Sequence, residues 1–171
     1  MLNKATALYR DFKYQTFRTK RCSENFNFPL FLKAWVSDRL LKLTPLKASL
    51  PWMPYSTILK LHSIVEKDFN ILETGCGGSS LFFLQRCKTL TSLEHDEKWF
   101  LELEKYLSVS NYRNRWQLEF RNLKESSYTS PYLDFIKNQE DETFDLISID
   151  GRLRNECLKF APYKVKKNGF I

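Results

Sequence analysis

The chain has no uncharged apolar run near the ~20 residues that a membrane helix needs. Its first residues, Met1 to Thr6, lack the apolar stretch of a secretory signal. These two absences point to a cytoplasmic protein without a transmembrane segment. Cysteine is sparse and scattered: Cys22, Cys76, Cys87 and Cys157 include no Cys-x-x-Cys pair. That excludes the common zinc and redox motifs and fits reduced thiols. Only His62 and His95 supply imidazole, so no Cys/His cluster has metal-ligand spacing, and no Ser-His-Asp arrangement can be argued.

At 171 residues one domain is the default, and 43% hydrophobic residues suffice for a packed core. Aromatics reach 15%, mostly Phe. Charge is unevenly placed. Residues 1–50 hold 10 Lys and Arg against 3 Asp and Glu, a surplus of 7, whereas residues 51–171 hold 17 of each sign. This asymmetry separates a basic N-terminal extension, residues 1–50, from the domain at 51–171. Two amphipathic helices are expected in the extension, at 5–21 and at 30–43, the second bracketed by Pro29 and Pro45. Their basic faces either meet nucleic acid, anionic lipid or an acidic partner, or are simply solvated.

Pro51 to Tyr55 reads as a rigid connector, and a helix from Ser56 to about Glu66 follows. Trp52 and Tyr55 either face a ligand or pack on the core. Strands are then expected at 69–74, 90–94, 116–121 and 144–149, alternating with helices at 78–87, 97–107, 133–136 and 153–166. Pro162 should kink or shorten the last helix. Asn168-Gly169 reads as a turn into a fifth strand at Phe170-Ile171. The pattern predicts an α/β, Rossmann-like, doubly wound and mostly parallel sheet with an N-terminal helical extension. A sheet that stops at the start of strand five has an uncovered edge, so a fragment of a longer protein is expected.

The strongest local signal is Glu73-Thr-Gly75-Cys-Gly77-Gly-Ser79-Ser80 between the first strand and its helix, with Ser-Leu-Glu94-His95-Asp96 closing the second strand. Glycines there permit a sharp turn and close approach of a ligand. Ser79 and Ser80 stand at the helix start, where hydroxyls cap free N–H groups and the helix presents partial positive charge. Glu94, at the end of the second strand, suits two ribose hydroxyls. The dinucleotide fingerprint wants a third glycine where this chain has Ser80, so the match is incomplete. No lysine stands between Lys67 and Lys88, which excludes the phosphate loop of ATPases. A carboxylate two residues before the first glycine repels a pyrophosphate and is compatible with an ammonium and a sulfonium.

These residues resemble the class I S-adenosylmethionine-dependent methyltransferases, over roughly residues 50–171. The resemblance implies S-adenosylmethionine as cofactor. It places Glu73 near the methionine amino group, Gly75 and Gly77 under the cofactor, Ser79 beside them and Glu94 on the ribose. His95 would stand at the rim. Asp150 ends the fourth strand, where metal-dependent relatives ligate Mg²⁺. Here Arg152 and Arg154 follow it, which disfavours a metal. The arginines are candidates for an anionic group of the acceptor, and Asp150 for orienting the acceptor or accepting its proton. The bland alternative is an Asp–Arg pair that closes the turn. The expected activity is methyl transfer to an unidentified small-molecule or carbohydrate-like acceptor by in-line displacement at the sulfonium methyl. The alternative is a non-catalytic nucleic-acid-binding or interaction protein on a Rossmann-like scaffold. An NAD-type oxidoreductase is opposed by Ser80.

Overall fold

The computed structural model describes residues 4–24, 26–123 and 130–171. Four helices precede the sheet: α1 (Lys4–Arg21), α2 (Phe28–Trp35), α3 (Pro45–Ala48) and α4 (Tyr55–Ile64). Asn27 starts α2 by accepting the Leu30 N–H at 3.0 Å, with Pro29 in the first turn. The expected continuous helix over 30–43 does not persist. At Val36 it loosens into a π-turn, Val36–Leu40, and Lys42 takes a left-handed φ of 48°. Pro45 does more than end that segment, because it opens α3, capped by Thr44.

The sheet contains β1 (Asn70–Thr74), β2 (Thr89–Glu94), β3 (Trp116–Phe120), β4 (Phe144–Ile149) and β5 (Val165–Phe170). All pairings are parallel, in the order β3-β2-β1-β4-β5. Helices α5 (Gly78–Leu84), α6 (Glu97–Ser108), α7 (Pro131–Lys137) and α8 (Arg154–Lys164) connect the strands. The near-continuous apolar runs of β1 and β4 fit strands covered on both faces. Ile71 packs into one buried cluster, with Phe82, Leu90 and Leu146. Its neighbour Leu72 packs on the other side with Ile147 and Ala161.

The N-terminal helices join that core directly. Phe31, Ala34 and Trp35 of α2 belong to the buried cluster of Ile71, Phe82 and Phe83. Trp35 donates its indole N–H to Asp11 at 2.8 Å, which ties α2 to α1. Tyr55 packs edge-on against Phe31 at 5.5 Å and donates to Asp38 at 2.7 Å, whereas Trp52 is 90% exposed.

Further element boundaries differ from the sequence expectation. Helix α5 ends at Leu84 rather than at 87, and the Arg115 guanidinium binds the released carbonyls of Leu84 and Cys87. Helix α8 runs past Pro162 but stops two residues later. Strand β5 begins at Val165, not at Phe170. Its register jumps from Phe144↔Val165 to Leu146↔Phe170, so the Asn168-Gly169 turn is a bulge inside the strand.

The chain moves outward from β1 to β3 in one direction and from β4 to β5 in the other. The carboxyl ends of β1 and β4 therefore flank the topological switch point, where ligands bind in such sheets. Gly78, at the start of α5, fixes this end to the N-terminal helices. A Cβ there would overlap the backbone carbonyl oxygens of Leu50 and Pro45. Gly78→Ala is therefore expected to lower stability by roughly 1–3 kcal/mol, and Gly77→Ala by much less. Urea unfolding midpoints of the two variants check this.

Candidate functional site

Beyond β1 the chain turns at Gly75, whose φ of 84° favours glycine. Its N–H donates to Leu93 O at 2.9 Å. The turn is pressed against the loop after β4: a Cβ on Gly75 would lie 2.8 Å from the Gly151 nitrogen. Asp150 N–H donates to Thr74 O at 3.0 Å, and Gly151 N–H donates to Thr74 Oγ1 at 3.3 Å. Gly151 in turn has the Tyr132 hydroxyl where a side chain would begin. Gly77 is different. Among the described residues, a Cβ there meets nothing nearer than the Trp99 ring, at an ordinary 3.8 Å.

Beneath the turn lies Glu73, 1% exposed. Its Oε1 accepts from Ser92 Oγ at 2.6 Å and from Ser80 Oγ, and its Oε2 accepts from Ser79 Oγ at 3.0 Å. Two of these hydroxyls have their direction set from behind. The Gly77 N–H donates to Ser80 Oγ at 2.9 Å, and the Trp116 indole N–H donates to Ser92 Oγ at 2.8 Å. An N–H group can only donate, so each hydroxyl must point its own proton at Glu73. Burial nevertheless pushes Glu73 up to about 7, against the pull of the serines and with a smaller push from Glu94. Burial, with Glu73 and Glu94 alongside, also pushes the Cys76 thiol well up. A protonated thiol makes Cys76 a poor nucleophile.

Glu94 is 3% exposed and closes the other side of the turn. Its Oε1 accepts the backbone N–H groups of His95 at 2.7 Å and Asp96 at 2.9 Å. Among the described residues its Oε2 accepts only the Cys76 N–H, at 3.2 Å. His95 Nδ1 lies 2.9 Å from Oε1, and among the described residues it has no aligned hydrogen-bond partner. Arg152 Nε donates to His95 Nε2 at 3.4 Å, and the Tyr132 ring stands perpendicular to the imidazole at 6.3 Å. Asp150 and Arg154 form the turn-closing pair: Arg154 Nη2 reaches both Asp150 Oδ1 and Asp150 O at 2.8 Å.

Glu73, Gly75, Gly77, Ser79, Glu94 and His95 thus converge on one turn, and Arg152 joins them through His95. Asp150 and Arg154 border it through the Gly75–Gly151 contact but are bonded to each other. Several partners were not singled out by sequence reasoning. Ser92, Trp116 and Tyr132 carry no local signal of such a role. Trp99 lies in the helix expected at 97–107, and its indole N–H donates to Cys76 O at 2.8 Å. Asp96, the N-cap that accepts the Trp99 N–H at 2.9 Å, was the available signal for that placement. Among the described residues, no group of three or more His, Cys, Asp or Glu side chains gathers as a metal site requires.

No protein-family model matches the chain, and no curated protein matches it. Solved structures do. A methyltransferase from Geobacter sulfurreducens aligns over 98% of this chain and 76% of its own, at 12% identity and a TM-score of 0.54. The chain shares the Rossmann-like fold of that methyltransferase. The precorrin 8W decarboxylase of Methanobacterium thermoautotrophicum aligns over 70% of this chain and 61% of its own, at 16% identity and a TM-score of 0.52. YcgJ of Bacillus subtilis aligns over 66% and 47%, at 12% identity and a TM-score of 0.46. The chain therefore spans less than two thirds of the latter two proteins. Within the methyltransferase fold the glycine turn, Glu73 and Glu94 occupy the carboxyl edge of the sheet, at β1 and β2. No helix among the described residues is long and apolar enough to cross a membrane.

The elevated Glu73 has a consequence for stability. In the unfolded chain its carboxyl loses a proton near 4.5, and in the folded protein near 7. Between those values the folded state holds the extra proton, so stability falls as pH rises through the window and levels off above it. The fall is roughly 3 kcal/mol. Glu73→Gln cannot titrate and is expected to lose this component. The difference in urea midpoint between pH 4.5 and pH 8, measured for both proteins, checks it.

Proposed function

We propose that the protein binds S-adenosylmethionine over Gly75–Gly77 and transfers its methyl group to a small-molecule or carbohydrate-like acceptor. One observation carries the reading. Gly75, Gly78 and Gly151 are glycines because a Cβ would strike protein backbone or the Tyr132 hydroxyl, whereas no neighbour explains Gly77. A residue left without a side chain at the switch point of this fold, and not for the protein's own packing, suits a ligand that needs the room.

The residues around it fit the cofactor to different degrees. Glu94 Oε1 already accepts two N–H bonds, whereas Oε2 accepts one. A carboxylate oxygen takes about two donors, so one ribose hydroxyl has a ready place. A second needs the Cys76 N–H to move aside. Glu73 likewise has spare capacity only on Oε2. It serves by holding Ser79 and Ser80, and through them the turn. The Trp99 ring lies beside the buried Gly77, 3.8 Å from where a Cβ would stand. When bound, the cofactor supplies a sulfonium methyl already activated for displacement. The protein contributes proximity and alignment, worth up to about 7–11 kcal/mol in favourable cases.

On the acceptor side, Arg152 is exposed and reaches His95, so an anionic group of the acceptor meets a cation at the rim. Arg154 is engaged by Asp150. Asp150, with its side chain 48% exposed, orients the acceptor or takes its proton once that pair opens. The fold gives no separate support to the nucleic-acid-binding reading.

Titration calorimetry with S-adenosylhomocysteine tests the proposal. One site per chain is expected, and Gly77→Leu should abolish the heat while circular dichroism and the urea midpoint stay close to the parent. No heat from the folded parent protein sinks the reading, and retained affinity in a folded Gly77→Leu variant sinks the placement.

A further inference from the structure

A second cavity lies away from the glycine turn. About 750 Å³ in volume, it lies among α1, the π-turn, α3 and the 51–55 connector. That is the size of a small-molecule site, for which 300–1,000 Å³ is typical. Gly75, Gly77 and Glu94 do not line it, so what it binds is a separate question from methyl transfer.

Its charge is one-sided. Arg18, Arg39 and Lys42 line it against a single acid, Asp38. Arg39 is already taken, 3.6 Å from Asp11 and 3.3 Å from Asp38. Asp38 also accepts the Tyr55 hydroxyl at 2.7 Å. Arg18 and Lys42 form no ion pair among the described residues. They leave two unneutralised cations at a concave surface, where an anion is favoured.

The polar interior points the same way. Thr19 and Ser37 line the cavity and are only 3% and 7% exposed. Each brings one hydroxyl, both donor and acceptor, to the lining. Backbone irregularity gathers here as well. Ser37 belongs to the π-turn, and Lys42 holds a left-handed φ of 48° without being glycine. Such departures recur at binding sites, where the surrounding structure must sustain their cost. Apolar lining includes Leu43, Leu50, Met53 and Trp52, the last 90% exposed.

We propose that this cavity binds a small organic anion: a carboxylate, sulfonate or phosphate headed toward Arg18 and Lys42, with an apolar or aromatic body against Trp52 and Met53 and a hydrogen-bonding group at Thr19 or Ser37. Two of the ten cations in residues 1–50, Arg18 and Lys42, then have a local purpose, which a merely solvated face would lack.

Two fluorescent probes with one apolar body separate charge from hydrophobicity. 1-Anilinonaphthalene-8-sulfonate carries an anion, and N-phenyl-1-naphthylamine does not. The folded 171-residue chain is expected to bind one sulfonate probe, at least tenfold tighter than the neutral one. Arg18→Gln combined with Lys42→Gln, both at exposed positions, should weaken the sulfonate probe about tenfold and leave the neutral probe unchanged. Trp52→Phe should remove a large part of the tryptophan-to-naphthalene energy transfer. Equal affinity for the two probes, full sulfonate affinity in the double variant, or unchanged energy transfer in Trp52→Phe would each overturn the proposal. S-adenosylhomocysteine affinity should be unaffected by all three substitutions, so this test and the calorimetric one fail independently.

Discussion

A single buried carboxylate organises the carboxyl edge of the sheet. Glu73 sits on β1, takes Ser79 and Ser80 from the first turn of α5, takes Ser92 from β2, and through Ser92 is joined to Trp116 on β3. Three consecutive elements thus meet at one side chain, and β3 joins them through Ser92. A buried polar network stabilises only when all of its members are satisfied, and here the donors are arranged to leave none unsatisfied. The Gly77 and Trp116 N–H groups fix the hydroxyls, and the hydroxyls fix the carboxylate. The cost is electrostatic. Burial raises Glu73 toward neutrality even with three O–H donors on it, so the network is held near the edge of ionisation. An acid at this sequence position is therefore first a structural tie, and any attraction for a cationic ligand comes after that duty.

The glycines divide in the same way. A glycine-rich turn is commonly taken as the mark of a ligand, yet most of the glycine here answers to internal packing. Gly75 turns with positive φ and abuts Gly151, Gly151 makes room for the Tyr132 hydroxyl, and Gly78 lets the carbonyls of Pro45 and Leu50 approach α5. Subtracting these leaves Gly77. The ligand signal narrows from a motif to one position, which is a sharper statement than the motif itself.

Much of the architecture was legible in the sequence. Phe144-Asp-Leu-Ile-Ser-Ile149 and Asn70-Ile-Leu-Glu-Thr74 are short apolar runs bounded by turn residues, and that pattern has few other uses. Strand β5 was legible only in its last residues, because Val165-Lys-Lys-Asn-Gly has no apolar alternation and depends on the bulge beside β4. The π-turn was not legible either. Its onset at Val36 depends on how α2 meets α1 and α4, through Trp35 to Asp11 and Phe31 to Tyr55. At the site, Glu73, Gly77 and Glu94 announced themselves by spacing along the chain. Ser92, Trp99, Trp116 and Tyr132 matter through contacts 19 or more residues away, and local pattern carries no record of those. The Asp150–Arg154 pair was one of two readings available from the sequence, and only geometry could choose between them.

The N-terminal helices show the same limit of composition. Their charge marks them off as a basic extension, yet their apolar stripe shares the main buried cluster. Charge reports what a helix shows to water and says nothing about what it covers. The covering has a mechanical result. The Pro45 and Leu50 carbonyls rest on Gly78, one residue from Gly77 and next to Ser79 and Ser80, which hold Glu73. Pro45 and Leu50 also line the basic cavity. Close-packed interiors do not yield gradually, so a displacement of that cavity wall must be taken up either by α3 or by the start of α5. If α5 yields, the serine hydroxyls leave Glu73 and the turn loses its support. The rigidity of the glycine turn is thus set partly by a segment that composition alone would place outside the domain.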